Sequence, residues 1–128
     1  MTEPTAQVSD ETLSRLSGVS NATVLGLLLR RGYRKVYMEG VKPIVPGRRL
    51  CARAVTLRSL PSRPDLAERI ATGQHGEGFN ETPRWQALET LSPGHALVTD
   101  AMRLGNVSTG GNVVYSRILT RNAAGLVT

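Results

Sequence analysis

A glycine pair followed by an apolar-periodic run is the stretch of this sequence best suited to binding a small ligand. Gly110 and Gly111 stand directly before Asn112, Val113 and Val114, which open the run. Adjacent glycines leave the backbone accessible and permit positive φ, and the first amides of a helix have no partner within the helix. Those amides and the positive end of the helix dipole attract carboxylate or phosphate. The spacing therefore predicts an anion site at this helix start.

The same residues also fit a purely structural role. A strand-to-helix turn with Asn112 as the N-cap would use this sequence and bind nothing. Neither the GxGxxG spacing nor the P-loop spacing is present in the sequence, so no nucleotide fingerprint supports a ligand. Asp100 ends a predicted strand, where α/β proteins tend to place functional groups, but turn chemistry favours a capping carboxylate. Both interpretations stay open from the residues alone.

Three residues with reactive or ligand-binding side chains are predicted to be structural or solvated. The single cysteine, Cys51, lies among alternating apolar residues, which is typical of a buried and inert thiol. His75 lies in a loop without Cys or His partners at ligand spacing, and His95 begins a strand. The residues therefore predict no metal site.

Length and composition indicate one soluble globular domain over residues 1–128. Hydrophobic residues make up 40% of the chain and charged residues 20%, which excludes the disordered and membrane classes. Residues 1–8 lack a signal pattern and are expected to be flexible, and no apolar run could span a membrane. We therefore expect a cytoplasmic protein.

The formal net charge of +6 comes from one basic window. Glu39 is the one acidic residue in this window. Its cationic residues are Arg30, Arg31, Arg34, Lys35, Lys42, Arg48, Arg49, Arg53 and Arg58. Such a window attracts nucleic acid, an acidic protein or an anionic substrate, and it also fits a solvated face. Aromatic residues are scarce at 4% and are not interleaved as a base-stacking platform. Direct nucleic-acid binding is therefore not favoured.

Capping and turn residues divide the chain into alternating helices and strands. Helices are predicted from Ser9 or Asp10 to Gly18, from Ser20 to Gly32, from Arg84 to Leu91 after the Thr82-Pro83 cap, and from Val113 to Asn122. Strands are predicted at Arg49–Leu60, His95–Thr99 and Ala123–Thr128. Residues 61–81 form a loop-rich insertion with a possible helical turn from Leu66 to Ala71.

Six segments of the chain resemble, in the same order, motifs of the RraA-like family: Gly40–Pro43, Pro46–Leu50, Ala54–Arg58, Pro93–Val98, Gly110–Val114 and Arg121–Thr128. The resemblance begins at about Leu13. The family includes regulators of ribonuclease E activity and 4-hydroxy-4-methyl-2-oxoglutarate aldolases. The resemblance implies an α/β fold of the swivelling β/β/α type with three layers, assembled as homotrimers or hexamers.

For the aldolases, the resemblance implies a pyruvate-like 2-oxo acid held by a divalent Mg or Mn ion and an arginine. The carboxylate of that acid meets backbone amides of a Gly-Asp-x-Leu turn, which falls on Gly111, Asn112, Val113 and Val114 here. The metal would stabilise the pyruvate enolate as a Lewis acid. The leading functional expectation is therefore relatedness to class II pyruvate aldolases and oxaloacetate decarboxylases.

The chain departs from the family pattern at three points. Asn112 replaces the family's aspartate, and Arg103-Leu104 stands where relatives commonly carry a Gly-Asp pair. The family's Asp-Gly-x-x-Arg-Asp motif, which supplies the catalytic arginine and a metal ligand, would begin beyond Thr128. We therefore expect an incomplete, N-terminal family domain without activity of its own. The alternatives are a non-enzymatic regulator that binds a ribonuclease or another protein, and a fragment with impaired folding.

Overall fold

The computed structural model describes residues 8–61, 63–71 and 82–128. These residues form five helices and three strands, which belong to two compact units, Met1–Ala52 and Arg53–Thr128. The predicted flexible N-terminus lies outside the described residues except for Val8. Residues 72–81 of the loop-rich insertion, including His75, lie outside them as well. The assignment of a single domain stays a prediction.

The first unit contains two capped helices, α1 (Asp10–Ser17) and α2 (Asn21–Arg30). Ser9 Oγ and Ser20 Oγ each accept a hydrogen bond from the amide three residues on, at 3.2 and 3.1 Å. Such a cap stabilises a helix by about 1 kcal/mol because it satisfies an amide that the helix leaves unpaired. Gly32 follows α2 with φ of 86°, a left-handed conformation that favours glycine. The predicted boundaries of both helices are confirmed.

Few side-chain hydrogen bonds fix the rest of the first unit. Arg49 donates to the carbonyl of Val19 and lies 3.4 Å from Oδ1 of Asn21. The Cys51 thiol is half-buried, with Sγ 3.6 Å from the carbonyl oxygen of Leu13. Cys51 is therefore less buried than the sequence predicts. Every residue from 8 to 52 is exposed or half-buried.

The second unit is built on a three-stranded parallel sheet in the order β1-β2-β3. The strands are β1 (Arg53–Arg58), β2 (His95–Asp100) and β3 (Gly125–Val127). The register aligns Val55 with Leu97 and Leu97 with Leu126. The predicted α/β class is confirmed.

Two of the predicted strands are longer than the observed ones. The prediction extended β1 over residues 49–60 and β3 over 123–128, but strand structure covers only 53–58 and 125–127. Residues 53–58 are the ones that pair with the six residues of β2, and β3 pairs with only three of them. Strand length is therefore set by the partner strand, which a single segment of sequence does not reveal.

Three helices accompany the sheet: α3 (Pro64–Ala71), α4 (Pro83–Glu89) and α5 (Asn112–Thr120). Thr82 Oγ1 caps α4 by accepting from the amide of Trp85 at 3.4 Å, as predicted. The possible turn over residues 66–71 belongs to the longer helix α3. Within the described residues, no helix has both the length and the apolar character needed to cross a membrane.

A small core joins α4, α5 and the sheet. It consists of Leu88, Leu91, Leu97 and Ile118, and Leu88 and Leu91 are 0% exposed. Complete burial of a leucine side chain contributes roughly 2 kcal/mol through the hydrophobic effect. Trp85 packs against this cluster while remaining half-buried. Trp85 and Leu88 of α4 therefore face the core.

A charged clasp connects the end of α4 to α5. Glu89 accepts two hydrogen bonds from Arg117, with Nε to Oε1 at 2.7 Å and Nη2 to Oε2 at 2.5 Å. Arg121 donates to the carbonyl oxygen of Leu91 at 2.9 Å and to that of Glu89. The hydrogen bonds from Arg117 lower the pKa of Glu89, partial desolvation opposes this, and both arginine charges lower the pKa further. The charged form of Glu89 is therefore favoured by folding.

We expect the Glu89 clasp to make stability depend on acid pH. A folded-state pKa below the ordinary value of 4.5 gives stability that is present above that value and is lost as pH falls through the lowered pKa. Glu89→Gln should unfold at lower urea concentration than the wild type at pH 7, and the difference should shrink towards pH 3. Fluorescence of the single tryptophan, Trp85, reports unfolding of this unit.

The matched control is Glu39→Gln, which removes an exposed carboxylate from the first unit. At pH 7 its urea midpoint should match that of the wild type, as for a surface change. A constant difference between wild type and Glu89→Gln over the whole pH range would contradict the role of the Glu89 charge.

Candidate anion-binding site

The carboxyl ends of β1 and β2 lie at one edge of the sheet. β1 ends at Arg58 and β2 at Asp100, and these two residues are paired in the register. Helix α5 connects β2 to the parallel strand β3, so its N-terminus lies on the same side as the end of β2. Open parallel sheets place ligands outside this edge. The fold therefore brings the predicted helix start near two charged strand ends.

Gly111, not Asn112, occupies the N-cap position of α5. Its φ of −120° and ψ of −167° are extended, and no side chain caps the helix. The first helical hydrogen bond runs from the amide of Tyr115 to the carbonyl of Gly111 at 3.1 Å. The prediction of Asn112 as the cap is wrong because Asn112 is already the first helical residue. Among the described residues, the amides of Asn112, Val113 and Val114 find no acceptor.

The two positions directly before α5 are occupied by glycine for different structural reasons. Neither adopts a positive φ, so the left-handed conformation that glycine permits is not used here. A Cβ at Gly110 would lie 3.1 Å from Cγ1 and 3.2 Å from Cβ of Val114, whereas a Cβ at Gly111 would meet nothing within 4 Å. Packing therefore explains Gly110, and Gly111 leaves open space beside the uncapped amides.

Asp100 acts as a turn carboxylate and as the partner of an arginine. Oδ1 accepts from the amide of Met102 at 2.8 Å, and Oδ2 accepts from Nε of Arg58 at 3.0 Å. The Met102 amide is the main cause of the lowered pKa of Asp100; partial desolvation opposes it, and Arg58 and Arg103 add to it. The carboxylate is therefore ionised, and the structural interpretation of Asp100 is confirmed.

The turn after Asp100 has an unusual backbone. Leu104 donates its amide hydrogen to the carbonyl of Ala101 at 3.1 Å, and the two residues between them, Met102 and Arg103, have φ of 56° and 60°. Two left-handed central residues are typical of glycine and asparagine turns, and each such residue with a side chain costs roughly 1–2 kcal/mol. The Asp100 side chain opposes this strain by fixing the Met102 amide.

Two adjoining cavities lie at this edge, and we call them together the arginine groove. The first has a volume of about 360 Å³ and is lined by Arg58, Leu60, Asp100, Met102 and Arg103. The second has about 230 Å³ and is lined by Ser59, Leu60, Pro61, Arg84, Ala101, Met102, Leu104, Val107, Ser108 and Thr109. Leu60 and Met102 line both cavities. The groove therefore runs from the strand ends to the residues just before α5.

The sequence prediction located the helix start but missed the groove. None of the four predicted residues, Gly111 to Val114, is among the described residues that line it. Arg58 belongs to the basic window of the sequence, and Arg103 is part of a departure from the family pattern, while Arg84 had no signal beyond its charge. The other histidine, His95, has Nδ1 2.8 Å from Oγ of Ser92, a contact within the turn that leads into β2.

The described residues do not fit the divalent metal that the resemblance implies. They contain no group of three His, Cys, Asp or Glu side chains arranged to ligate an ion. Asp100 is already engaged by Arg58 and by the Met102 amide. Asn112 offers a neutral amide, which favours a cation less than a carboxylate does. No metal chemistry is therefore assigned to this edge.

The parallel sheet, the helices packed on it and the charged residues at its carboxyl edge define an α/β protein. Among solved structures, it is similar to the crystal structure of Streptomyces coelicolor RraAS2, described as an unusual member of the RNase ES inhibitor RraA protein family. The match has a TM-score of 0.72 and 27% sequence identity, and it covers 96% of this chain. The chain therefore has an RraA-like α/β fold, as the sequence resemblance implies.

The match covers 54% of the RraAS2 chain, so this chain spans about half the length of that structure. No protein-family model matches the chain, and no curated protein matches it.

We expect the two glycines before α5 to respond differently to alanine. Gly110→Ala should lower the free energy of unfolding by about 1 kcal/mol, because Val114 is β-branched, stiff in a helix and unable to move away easily. Gly111→Ala should lower it by less, about 0.5 kcal/mol, because its Cβ meets nothing within 4 Å and only the N-cap preference for glycine over alanine is lost. Urea unfolding followed by Trp85 fluorescence compares the pair, and equal effects would contradict the packing explanation.

Proposed function

We propose that the chain is an RraA-type regulator that binds an RNase ES-type ribonuclease in the cytoplasm and lowers its activity. The observation that carries this proposal is the match to RraAS2 over 96% of the chain at a TM-score of 0.72. RraAS2 is described as an unusual member of the RNase ES inhibitor RraA protein family. Assembly as a homotrimer or hexamer, implied by the resemblance, is part of the same proposal.

The first unit supplies a surface with the composition of a protein interface. We call residues 30–49 the basic segment. Its seven cations, all exposed, face one acidic residue, Glu39: Arg30, Arg31, Arg34, Lys35, Lys42, Arg48 and Arg49. Large apolar side chains are exposed among them: Tyr33 59%, Tyr37 70%, Met38 57%, Ile44 95% and Val45 56%. Arginine, tyrosine and methionine are enriched in interfaces.

The backbone of the basic segment supports the same proposal. Residues 31–52 contain neither helix nor strand, and Ile44, at 95% exposure, makes almost no contact with the other described residues. An apolar side chain gains roughly 25 cal/mol for each Å² that a partner removes from water. The surrounding cations favour an acidic partner surface and would speed its association. We therefore propose that the ribonuclease docks on the basic segment.

The prediction is salt-sensitive inhibition of RNase ES. Purified chain should slow cleavage of a fluorescent single-stranded RNA by RNase ES at low salt, and the inhibition constant should rise as salt screens the contact. Replacing Arg34, Lys42 and Arg48 together by glutamate should raise that constant by about tenfold or more, because reversed rim charges slow association. Titrations at two salt concentrations measure both effects.

The control variant is Arg63→Glu, which reverses an exposed charge in the second unit. It should inhibit like the wild type. Unchanged RNA cleavage at low salt and excess chain would refute the regulator proposal. Equal loss of inhibition in the control and in the triple variant would refute the assignment of the basic segment.

A second candidate function is binding of a pyruvate-like 2-oxo acid at the start of α5. The observation that favours it is the set of uncapped amides at Asn112, Val113 and Val114 beside the open space at Gly111. A carboxylate there would accept hydrogen bonds and lie at the positive end of the helix dipole. We expect binding without aldol cleavage or decarboxylation, because Asn112 supplies no negative charge to attract Mg or Mn.

Pyruvate titration tests this candidate. Amide resonances of Asn112 to Val114 should shift with pyruvate, and Asn112→Asp should weaken binding about fivefold or more in the absence of metal because it adds a negative charge beside the carboxylate. Asn122→Asp, at the opposite end of α5, is the matched control. Pyruvate release from oxaloacetate with Mg or Mn, abolished by a chelator, would contradict the expected lack of turnover.

A further inference from the structure

We propose that the arginine groove is a second anion-binding site, which takes the phosphate group of an organic phosphate dianion. This inference does not depend on the regulator function or on pyruvate binding at α5. It rests on the charges, hydrogen bonds and apolar wall of the groove. None of the residues Gly111 to Val114 lines it, so the two sites differ.

The charge in the groove is strongly positive. Arg58, Arg84 and Arg103 line it together with one carboxylate, Asp100. Both oxygens of that carboxylate are already hydrogen-bonded, one to Met102 and the other to Nε of Arg58. Within the described part of the chain, the guanidinium groups of Arg84 and Arg103 make no hydrogen bond, although the charge of Arg103 acts on Asp100. Three guanidinium groups and one carboxylate leave a surplus that suits a dianion.

The two arginines whose guanidinium groups make no hydrogen bond, Arg84 and Arg103, lie on backbone that is held by hydrogen bonds. Arg103 belongs to the turn that the Leu104 amide closes on Ala101 at 3.1 Å. Asp100 fixes the same turn through the amide of Met102. Arg84 lies in the first turn of α4, after the Thr82 cap. A guanidinium held in place loses less freedom when it forms its two parallel hydrogen bonds to a phosphate.

The walls indicate that the phosphate carries an organic group. Leu60, Met102, Leu104 and Val107 expose 74%, 45%, 49% and 45% of their surface, and all four line the groove. The first cavity, of about 360 Å³, is within the size range of small-molecule sites, and the second, of about 230 Å³, extends it. Inorganic phosphate would use the arginines only, whereas an organic phosphate would also cover the apolar wall. A phosphomonoester should therefore bind more tightly.

Binding of three probes tests the proposal: inorganic phosphate, phenyl phosphate and succinate, measured by calorimetry at low ionic strength. Phenyl phosphate should bind about tenfold tighter than inorganic phosphate because its ring covers apolar surface. It should also bind more tightly than succinate, a dianion that lacks the compact tetrahedral group. Amide shifts should map to residues 100–104 and 84, not to 112–114.

Arg103→Gly is the main variant, because glycine readily adopts the φ of 60° seen at this position. It removes the guanidinium while preserving the turn, and it should weaken phenyl phosphate binding about tenfold with an unchanged urea midpoint. Arg84→Gln should weaken binding as well. Arg63→Gln removes an exposed arginine outside the groove and should bind like the wild type.

Three results would overturn the proposal. One is equal affinity of the wild type and both groove variants for phenyl phosphate. Another is loss of affinity in Arg63→Gln as large as in Arg103→Gly, which would show attraction by net charge alone. The third is displacement of phenyl phosphate by pyruvate with shifts confined to Asn112 to Val114, which would place the anion at the helix start. Failure of ribonuclease inhibition leaves these outcomes unaffected.

Discussion

Parallel pairing on both sides of β2 is the constraint on which the second unit depends. Because β1 and β3 both run parallel to β2, the chain must return to the starting edge of the sheet before each new strand. The return before β3 is made by α5, and Ile118 of that helix packs against Leu97 of β2. The same pairing puts Arg58 beside Asp100. Core packing and the charged edge therefore have one cause.

The clasp at Glu89 complements that pairing from the helix side. Glu89 and Arg117 remain about one-third exposed, so water screens their attraction and their bidentate geometry matters more than their charge. Arg121 satisfies backbone carbonyls at the end of α4, which the helix itself leaves without donors. The clasp thus fixes where α4 ends relative to α5, while the buried leucines supply most of the stabilisation.

Most of the secondary-structure boundaries were predictable because they depend on residues close in sequence. The other boundaries depend on partners that are distant in sequence. Ser9, Ser20 and Thr82 cap helices within three residues of themselves, so sequence spacing revealed all three. The ends of β1 depend on β2, which lies some forty residues later in the chain. The α/β class and the RraA-like fold were predicted from six motifs that occur in the same order as in the family. This prediction succeeded because the order of the motifs does not depend on where each strand ends.

The candidate site at the carboxyl edge of the sheet was also predictable only in part. The start of α5 was visible because glycine and asparagine adjoin an apolar-periodic run. The arginine groove was not, because its arginines come from the end of β1, the start of α4 and the turn after β2. Nothing in the sequence indicates that Met102 and Arg103 adopt left-handed conformations, since their side chains disfavour them.

Asp100 couples the charge of this edge to its shape. By charge alone, removing its carboxylate would raise the positive potential around Arg58 and Arg103. The same carboxylate, however, accepts from the amide of Met102 and from Nε of Arg58. Without it, the left-handed turn loses the bond that opposes its strain, and Arg58 loses the contact that orients it. The proposed anion binding at this edge therefore depends on an acidic residue, because an arginine binds an anion well only when its position is fixed beforehand.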